Sequence, residues 1–576
     1  MPGFCGYYRR DNTLIDTDIN VQIGLTTTKE REIFLPKTYI KQYIIPKFEN
    51  DKLFCDTDDV FYSTDGLILN SKELYNEYDV SVLSKLLPLM YKHDGINHIN
   101  KLRGVFSGII YDKVTQKIHL FTDHLGQKRL FYYWNSDTKD FIFASDLRIV
   151  TKIMQEFEYE TILSEDGAYC LLTFGFMLGN KTLCTNVHHL EPGTILTLSL
   201  DTGEIQKNRY YELKSTPYID DTEENIINEL DKRFCKAIQR EYDKDLEYGY
   251  NHVVTLSGGL DSRMTYVKGV MLGYNNIKTL TFSESGYLDE IIAEKISSDL
   301  GSDHIFHSLD NGTYLLNIED PVKASDGLSP YASVGNGLPL VSSLNWSKLG
   351  LLHTGQIGDL ILGSYLQGKR HHPVDNGMIK QMAYSSKLLY QLEDEISTIV
   401  KQYDTDEMCA FYERCVNGTY NGNFATQNYT EYASPFLDVD FIEYVMRVHP
   451  KYRHNNNLYA KWISKKTPIA GRYIWESTMT KVNTPKIVGL WKRAVRMLKR
   501  KLLNQRLVSM NPFDYWFTHN HSLRIFFEET YKSGIEYLSG HGMLKSDVEK
   551  FYLIATPLEK TQVLTLLEAT RMLKLS

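Results

Sequence analysis

The densest chemistry in this chain lies in Leu256-Ser257-Gly258-Gly259-Leu260-Asp261-Ser262. Two adjacent glycines let backbone N–H groups approach an anion closely. Ser257 and Ser262 add hydroxyl donors beside them. Asp261 repels a phosphate unless a cation bridges the two, so a phosphate loop working with Mg²⁺ is implied. No G-x-x-x-x-G-K-[ST] run occurs, which excludes the Walker loop. Farther on, His353-Thr354-Gly355-Gln356-Ile357-Gly358-Asp359 sets a second carboxylate after two glycines. Asp261 and Asp359 together offer the hard oxygen ligands that Mg²⁺ prefers.

These loops need elements to hold them. The apolar run at residues 252–256 predicts a short buried strand, and residues 263–272 predict a helix. The phosphate loop is then a tight turn into a helix N-terminus, where free N–H groups and the helix dipole favour an anion. Residues 278–283 predict a second strand, 289–300 a helix, and a further short strand follows His304. This β–α–β–α rhythm implies a parallel sheet wound on both sides. Leu351 and Leu352 lead into the second loop, so both carboxylates are expected at strand C-terminal ends.

The chain before residue 210 reads as β-rich, with alternating segments at 60–62, 66–69, 104–111, 117–122, 130–134 and 141–144. Residues 207–221 are polar and contain Pro217, which marks a linker, and helical periodicity resumes at 223–242. The expected domains are therefore 1–210 and 211–576, with a helical extension from about 485. Residues 486–506 combine a basic face with apolar residues at helical spacing and read as a packed helix with a solvated face. Helices are also expected at 522–531, 546–554 and 557–573, without recognisable chemistry.

Bulk properties narrow the class. With 576 residues there is ample core for two to four domains. A net charge of −8 argues against a general nucleic-acid surface. The seven cysteines are scattered without a C-x-x-C pair, which favours a reducing compartment. The first residues lack the apolar core of a signal peptide, and no apolar stretch approaches the length of a membrane span. A cytoplasmic protein is the expectation. The pairs His188-His189 and His371-His372 lack a carboxylate or cysteine at ligand spacing in sequence, and read as loop histidines.

The phosphate loop resembles the SGG-x-DS loop of the ATP pyrophosphatases, which cleave ATP between its α and β phosphates. Three N-terminal runs, Lys101-Leu102-Arg103-Gly104-Val105-Phe106, Asp123-His124-Leu125-Gly126-Gln127-Lys128-Arg129-Leu130-Phe131-Tyr132-Tyr133 and Phe143-Ala144-Ser145-Asp146-Leu147, are similar to the amidotransferase domain of asparagine synthetases. Gly355 to Tyr365 resembles that family's S-G-E-G-x-D-E-x-F-G-G-Y loop, and Ser434-Pro435-Phe436-Leu437-Asp438 its R-x-PFLD helix start without the arginine. The resemblance implies an N-terminal αββα Ntn-type sandwich and a C-terminal doubly wound sheet. It implies that ATP is held by Leu256, Ser257, Gly258, Gly259, Asp261, Ser262, Gly355 and Gly358. Adenine contacts are implied near Phe282 and Ser283, and Mg²⁺ on Asp261 and Asp359. Lys461 is placed where the family has a lysine on the reacting phosphates, and Asp261, Asp359 and Lys461 are the implied catalytic set.

The departures carry as much information. The family's nucleophilic cysteine is residue two with a free α-amine as its base. Pro2 stands there, and Cys5 is three places late, on the opposite face of a strand. The glutamine-holding N-G-E-I-Y-N segment corresponds to Asp65-Gly66-Leu67-Ile68-Leu69-Asn70, so its amide has become Asp65 and its carboxylate Leu67. In the second loop the two family glutamates are Gln356 and Leu360, and a glutamine cannot act as a base. No glutaminase nucleophile is expected unless residues 1–4 are removed to expose Cys5. The chain is closest in character to the glutaminase-deficient branch, the β-lactam synthetases and lasso peptide cyclases. The implied activity is an AMP-forming amide ligase that joins a carboxylate, on a peptide, amino acid or sugar acid, to an amine. In the lasso case a precursor peptide and a protease are the expected partners. A glutamine-hydrolysing asparagine synthetase and a catalytically silent scaffold are the alternatives.

Overall fold

The computed structural model describes residues 2–11, 28–484 and 509–576. The basic segment 486–506 lies outside the described residues. Twelve strands come first: β1 (Gly3–Tyr8), β2 (Lys29–Leu35), β3 (Thr38–Ile44), β4 (Phe54–Asp56), β5 (Val60–Ile68), β6 (Gly104–Asp112), β7 (Lys117–Thr122), β8 (Phe131–Trp134), β9 (Phe141–Ala144), β10 (Val187–His189), β11 (Thr194–Ser199) and β12 (Ile205–Arg209). They form two antiparallel six-stranded sheets, ordered β10-β8-β9-β1-β3-β2 and β12-β11-β7-β6-β5-β4. Alternation along β1 sets the layers. Phe4 and Tyr8 enter the core between the sheets, while Cys5 and Tyr7 face an outer helical layer. That layer contains α3 (Leu147–Glu156) and α4 (Glu165–Phe174); α1 (Ser71–Tyr78) and α2 (Leu83–Asp94) cover the other sheet. The result is an αββα sandwich. The sequence split β5 into two segments, but one strand runs through. Gly66 makes this possible at φ 103°, where an added Cβ would lie 2.0 Å from the Val105 carbonyl oxygen.

After β12 no regular element occurs until α5 (Glu223–Glu247). Five parallel strands follow, β13 (Asn251–Thr255), β14 (Lys278–Ser283), β15 (Asp303–Ser308), β16 (Leu349–His353) and β17 (Tyr432–Ala433), ordered β15-β14-β13-β16-β17. Helices α6 (Leu260–Met271) and α7 (Leu288–Asp299) make the first two crossovers. Strand order reverses at β13, so a crevice opens between the C-terminal ends of β13 and β16, where α/β sheets bind ligands. Helix α8 (Asn457–Lys466) packs over this region beside α5.

The C-terminal helices α9 (His521–Gly534), α10 (Gly542–Ile554) and α11 (Pro557–Leu573) return to the front of the molecule. Gln562 donates to the Leu171 carbonyl, and Tyr169 donates to Asp547 at 3.0 Å. They pack against the outer layer of the sandwich.

Buried ion pairs join the sandwich to the parallel-sheet half. Lys128 Nζ lies 3.0 Å from Asp65 and 2.9 Å from Glu431, which precedes β17. Lys52 lies 2.9 Å from the other oxygen of Glu431. Asp51 meets Lys244 of α5 at 3.1 Å, and Arg129 donates to the carbonyls of Ala324 and Ser325. Leu67, Phe48 and Val105 pack on Leu351 and Ala433 in one apolar cluster.

Candidate functional site

At the end of β13 the chain turns through Ser257–Gly259 into α6. The Ser262 hydroxyl accepts from the Ser257 N–H at 3.0 Å and lies 3.1 Å from the Ser257 hydroxyl, which fixes the turn. The Gly258 N–H donates to the Asp289 carboxylate at 2.7 Å. One donor of the anion cradle therefore already holds an oxyanion belonging to the protein. Burial pushes the Asp289 carboxyl up to about 6.

Asp261, on the first turn of α6, is half-buried. One oxygen accepts from Tyr459 Oη at 2.8 Å and the other from the Asp359 N–H at 2.8 Å. Loss of water, then the Asp359 carboxylate alongside, pushes Asp261 well above the ordinary carboxylate range. Two carboxylates held together against their own repulsion suit a divalent cation, and their oxygens are the donor type that Mg²⁺ takes. Asp261 and Asp359 are the residues that would hold it.

The glycines of the second loop bring these groups together. A Cβ on Gly355 would meet the Ser262 amide nitrogen at 2.2 Å, and one on Gly358 would meet Asp261 Cγ at 2.6 Å. Between them Ile357 adopts φ 65°, a strained conformation for a β-branched residue. Gly358→Ala is expected to keep the fold, displace Asp261 and lower nucleotide-dependent turnover about 100-fold, the usual effect of a misplacement near 1 Å. Activity measured beside a melting curve checks this.

A cavity of about 330 Å³ opens from this point. Its apolar end is lined by Leu256, Leu280, Phe282, Leu340 and Val341, and its polar end by Ser257, Ser262, Gly355, Gln356 and Asn423. Among the sequence-predicted residues, Leu256, Ser257, Ser262, Phe282 and Gly355 share this wall. Ser283 does not line it, since its hydroxyl turns to the Glu284 carbonyl. Gly358 abuts Asp261 and acts as a spacer.

Lys461 is not brought to the two aspartates in this structure. Its ammonium is bonded to both oxygens of Glu223, at 2.8 and 2.7 Å, on the solvent side of α8. Two residues along a helix point nearly opposite ways, and Tyr459 is the residue of α8 that reaches Asp261. Sequence reasoning missed Tyr459. It also missed Arg263, whose buried guanidinium donates to the carbonyls of Gly258, Ala470 and Ile474 and ties segment 470–476 over the phosphate loop. Beneath the site, Asp245 accepts from His252 and His353, each at 2.8 Å. The second nitrogen of His353 meets Glu241 at 3.0 Å. Burial alone would lower His353, but Asp245 and Glu241 outweigh it and raise its pKa to about 9. This charged cluster ties α5 to β13 and β16. His371, read as a loop residue, pairs with Glu407 at 2.8 Å.

The structure thus joins a crevice on a parallel sheet to an αββα sandwich. Residues 57–211 match the family described as "Glutamine amidotransferase domain". A Methanocaldococcus jannaschii protein bearing the asparagine synthetase name is 29% identical over 41% of this chain and 44% of its own length. Asparagine synthetase [glutamine-hydrolyzing] 1 of Bacillus subtilis is 24% identical over 38% of this chain and 33% of its own. Amidase chyE of Penicillium rubens is 24% identical over 48% of this chain and 42% of its own. The chain is similar to asparagine synthetases over part of its length. Its matches span less than half the length of these relatives. Among the described residues no helix is long and apolar enough to cross a membrane.

Proposed function

We propose that this protein is an ATP-dependent, AMP- and pyrophosphate-forming amide synthetase that does not draw its nitrogen from glutamine. The observation that carries the first half is the meeting of Asp261 and Asp359 next to Ser262 and Gly355, which line a cavity with many apolar residues. The adenine ring suits Leu280, Phe282 and Val341, and the serine–glycine turn faces the phosphates. Asp261 and Asp359 are the residues that would hold Mg²⁺, which would supply charge neutralisation on the triphosphate. Tyr459 holds Asp261 in position, and Arg263 keeps segment 470–476 closed over the loop. An oxygen of the acid substrate attacks the α-phosphorus, and the bond to the pyrophosphate oxygen breaks. An amine nitrogen then attacks the acyl carbon and AMP leaves, the two stages being brought about by positioning and charge compensation.

The second half rests on what occupies the sandwich's former pocket. Asp65, standing where the resemblance expects an amide, is ion-paired with Lys128. Leu67, standing where it expects a carboxylate, lies in an apolar cluster with Phe48, Val105, Leu351 and Ala433. Docking glutamine there would set its ammonium against apolar side chains, at a large cost. Cys5 is fully buried on the outer face of its sheet, and burial pushes its thiol up, so it is a poor nucleophile.

The substrate classes are a peptide closed to a lactam or lasso, a small β-amino acid, or a uronic sugar. Pyrophosphate release is to be assayed with ATP, Mg²⁺ and these acids, adding ¹⁵N-glutamine, ammonia or no amine. Turnover without glutamine, and no label passing from glutamine to product, are expected. Cys5→Ala is expected to leave the rate unchanged. Label in the product would favour the second reading, a glutamine-hydrolysing asparagine synthetase, which the names of the relatives suggest.

A further inference from the structure

The segment after Asp359 and the segment around Arg414 share an unusual geometry. Leu360–Ser364 and Ala410–Val416 are both π-helical, a form that tends to occur at functional sites. The first delivers Tyr365 and the second Arg414. Arg414 lies over the ring of Tyr384 at 4.9 Å and that of Phe176 at 5.6 Å. It donates to Tyr384 Oη at 3.3 Å and also bonds Tyr365. Tyr365 in turn feels the charge of Asp359.

Two features make this more than a packed arginine. Arg414 is half-buried, yet among the described residues no carboxylate lies within ion-pair distance of it. Arg453 and Arg240, also buried, pair with Glu407 and Asp438, and the buried Arg263 is satisfied by backbone carbonyls instead. The arginine is also joined to the cavity wall. Gln356, which lines the cavity, donates to the Thr419 carbonyl at 2.6 Å, and the Thr419 hydroxyl donates to the Arg414 carbonyl at 3.2 Å. Its guanidinium is held by two neutral tyrosine hydroxyls and not by a carboxylate, so its charge is left for an oxyanion that can take donors of the planar fork.

We propose that Arg414, flanked by Tyr365 and Tyr384, is the anion subsite that holds a carboxylate of the acid substrate beside the nucleotide. This rests on the amide-synthetase reading and adds the demand that the acid be anionic where it meets Arg414. The same chemistry could serve a nucleotide phosphate. The substrate carboxylate is favoured because the serine–glycine turn already offers its own donors to the phosphates, and Arg414 is linked through Thr419 to Gln356 and not to that turn. The two tyrosines are substantially exposed, which leaves the approach open.

The full-length protein is to be treated with phenylglyoxal, and labelling of Arg414 followed by peptide mass spectrometry. The probes are L-aspartate, D-galacturonate, a short peptide with a free C-terminus, the amide of each, and Mg–ATP. At least one carboxylate is expected to slow labelling about tenfold, with its amide and Mg–ATP giving little protection. In ATP–pyrophosphate exchange, Arg414→Gln is expected to raise KM for the active acid about tenfold, Arg414→Lys less, with KM for ATP unmoved. Protection by Mg–ATP alone, a shift in KM for ATP alone, or no protection by any probe overturns the subsite. Protection by a carboxylate without any exchange keeps the subsite and removes the adenylation reading.

Discussion

Asp261→Asn is expected to abolish Mg²⁺-dependent pyrophosphate exchange while making the nucleotide-free protein more stable. The activity loss follows from removing a charge that compensates the triphosphate, an effect of about 100- to 1,000-fold for one preorganised electrostatic partner. The stability gain follows from the same geometry. Asp261 sits with little water beside Asp359, and its folded pKa is raised. A carboxyl whose pKa rises on folding binds protons more tightly in the folded state, so ionising it destabilises that state. The cost is absent below the unfolded value of about 3.9 and grows as pH rises through the raised folded value. The wild-type protein therefore carries more of this cost at neutral pH than at pH 4, and the asparagine variant carries none of it. The variant keeps an oxygen for Tyr459 or the Asp359 N–H, so the fold is retained. Melting curves without nucleotide, from pH 4 to 8, should show wild type falling relative to the variant. Mg–ATP should reverse the order by stabilising only the wild type. Equal melting temperatures across that range, or exchange retained within about tenfold, would count against the paired-carboxylate site.

Much of this site was legible because it is local. Ser257 to Ser262 are contiguous, and their strand–turn–helix context is written in the apolar run before them and the helical run after. Asp359 was singled out by the resemblance of its loop to the S-G-E-G-x-D-E-x-F-G-G-Y pattern, and Gly355 and Gly358 are where that loop closes on Ser262 and Asp261. What failed was direction. Lys461 and Tyr459 share a helix, and linear spacing did not tell which side faced Asp261. Arg263, Asp289 and the Asp245–His252–His353 cluster depend on contacts across the sheet, which no single window of sequence displays. The sandwich was legible as alternation, but its outer layer was not. Residues 557–573 read as a helix in a C-terminal extension, whereas α11 closes the face that carries Cys5. The reason is the long chain separation of contacts such as Gln562 with Leu171.

The second large effect is expected at Lys128, which holds the two halves of the molecule together. Lys128→Met leaves Asp65 and Glu431 buried and short of a cation, and breaking a buried pair from one side costs about 3–5 kcal/mol. Burial alone would raise Glu431, but Lys128 and Lys52 outweigh it and hold the carboxyl down to about 2. The bridge therefore contributes stability above the unfolded glutamate value of about 4.3, and loses it as pH falls towards the folded value. The destabilisation by Lys128→Met should be largest near neutrality and shrink below about pH 4. Asp65→Leu combined with Lys128→Met removes one carboxylate along with the cation and leaves Glu431 to Lys52, so it should recover part of the loss. A double-mutant cycle by denaturant unfolding reads this coupling. The outcome also bears on function. If the sandwich is now a wedge, these variants lower exchange only as far as they unfold the protein, because no nitrogen has to pass from one half to the other. Loss of turnover at full folding, together with uptake of label from glutamine, would mean that the first domain still does chemistry. A residue bridging Asp65 to Glu431 can fill a substrate pocket or clear it, but in one conformation it cannot do both.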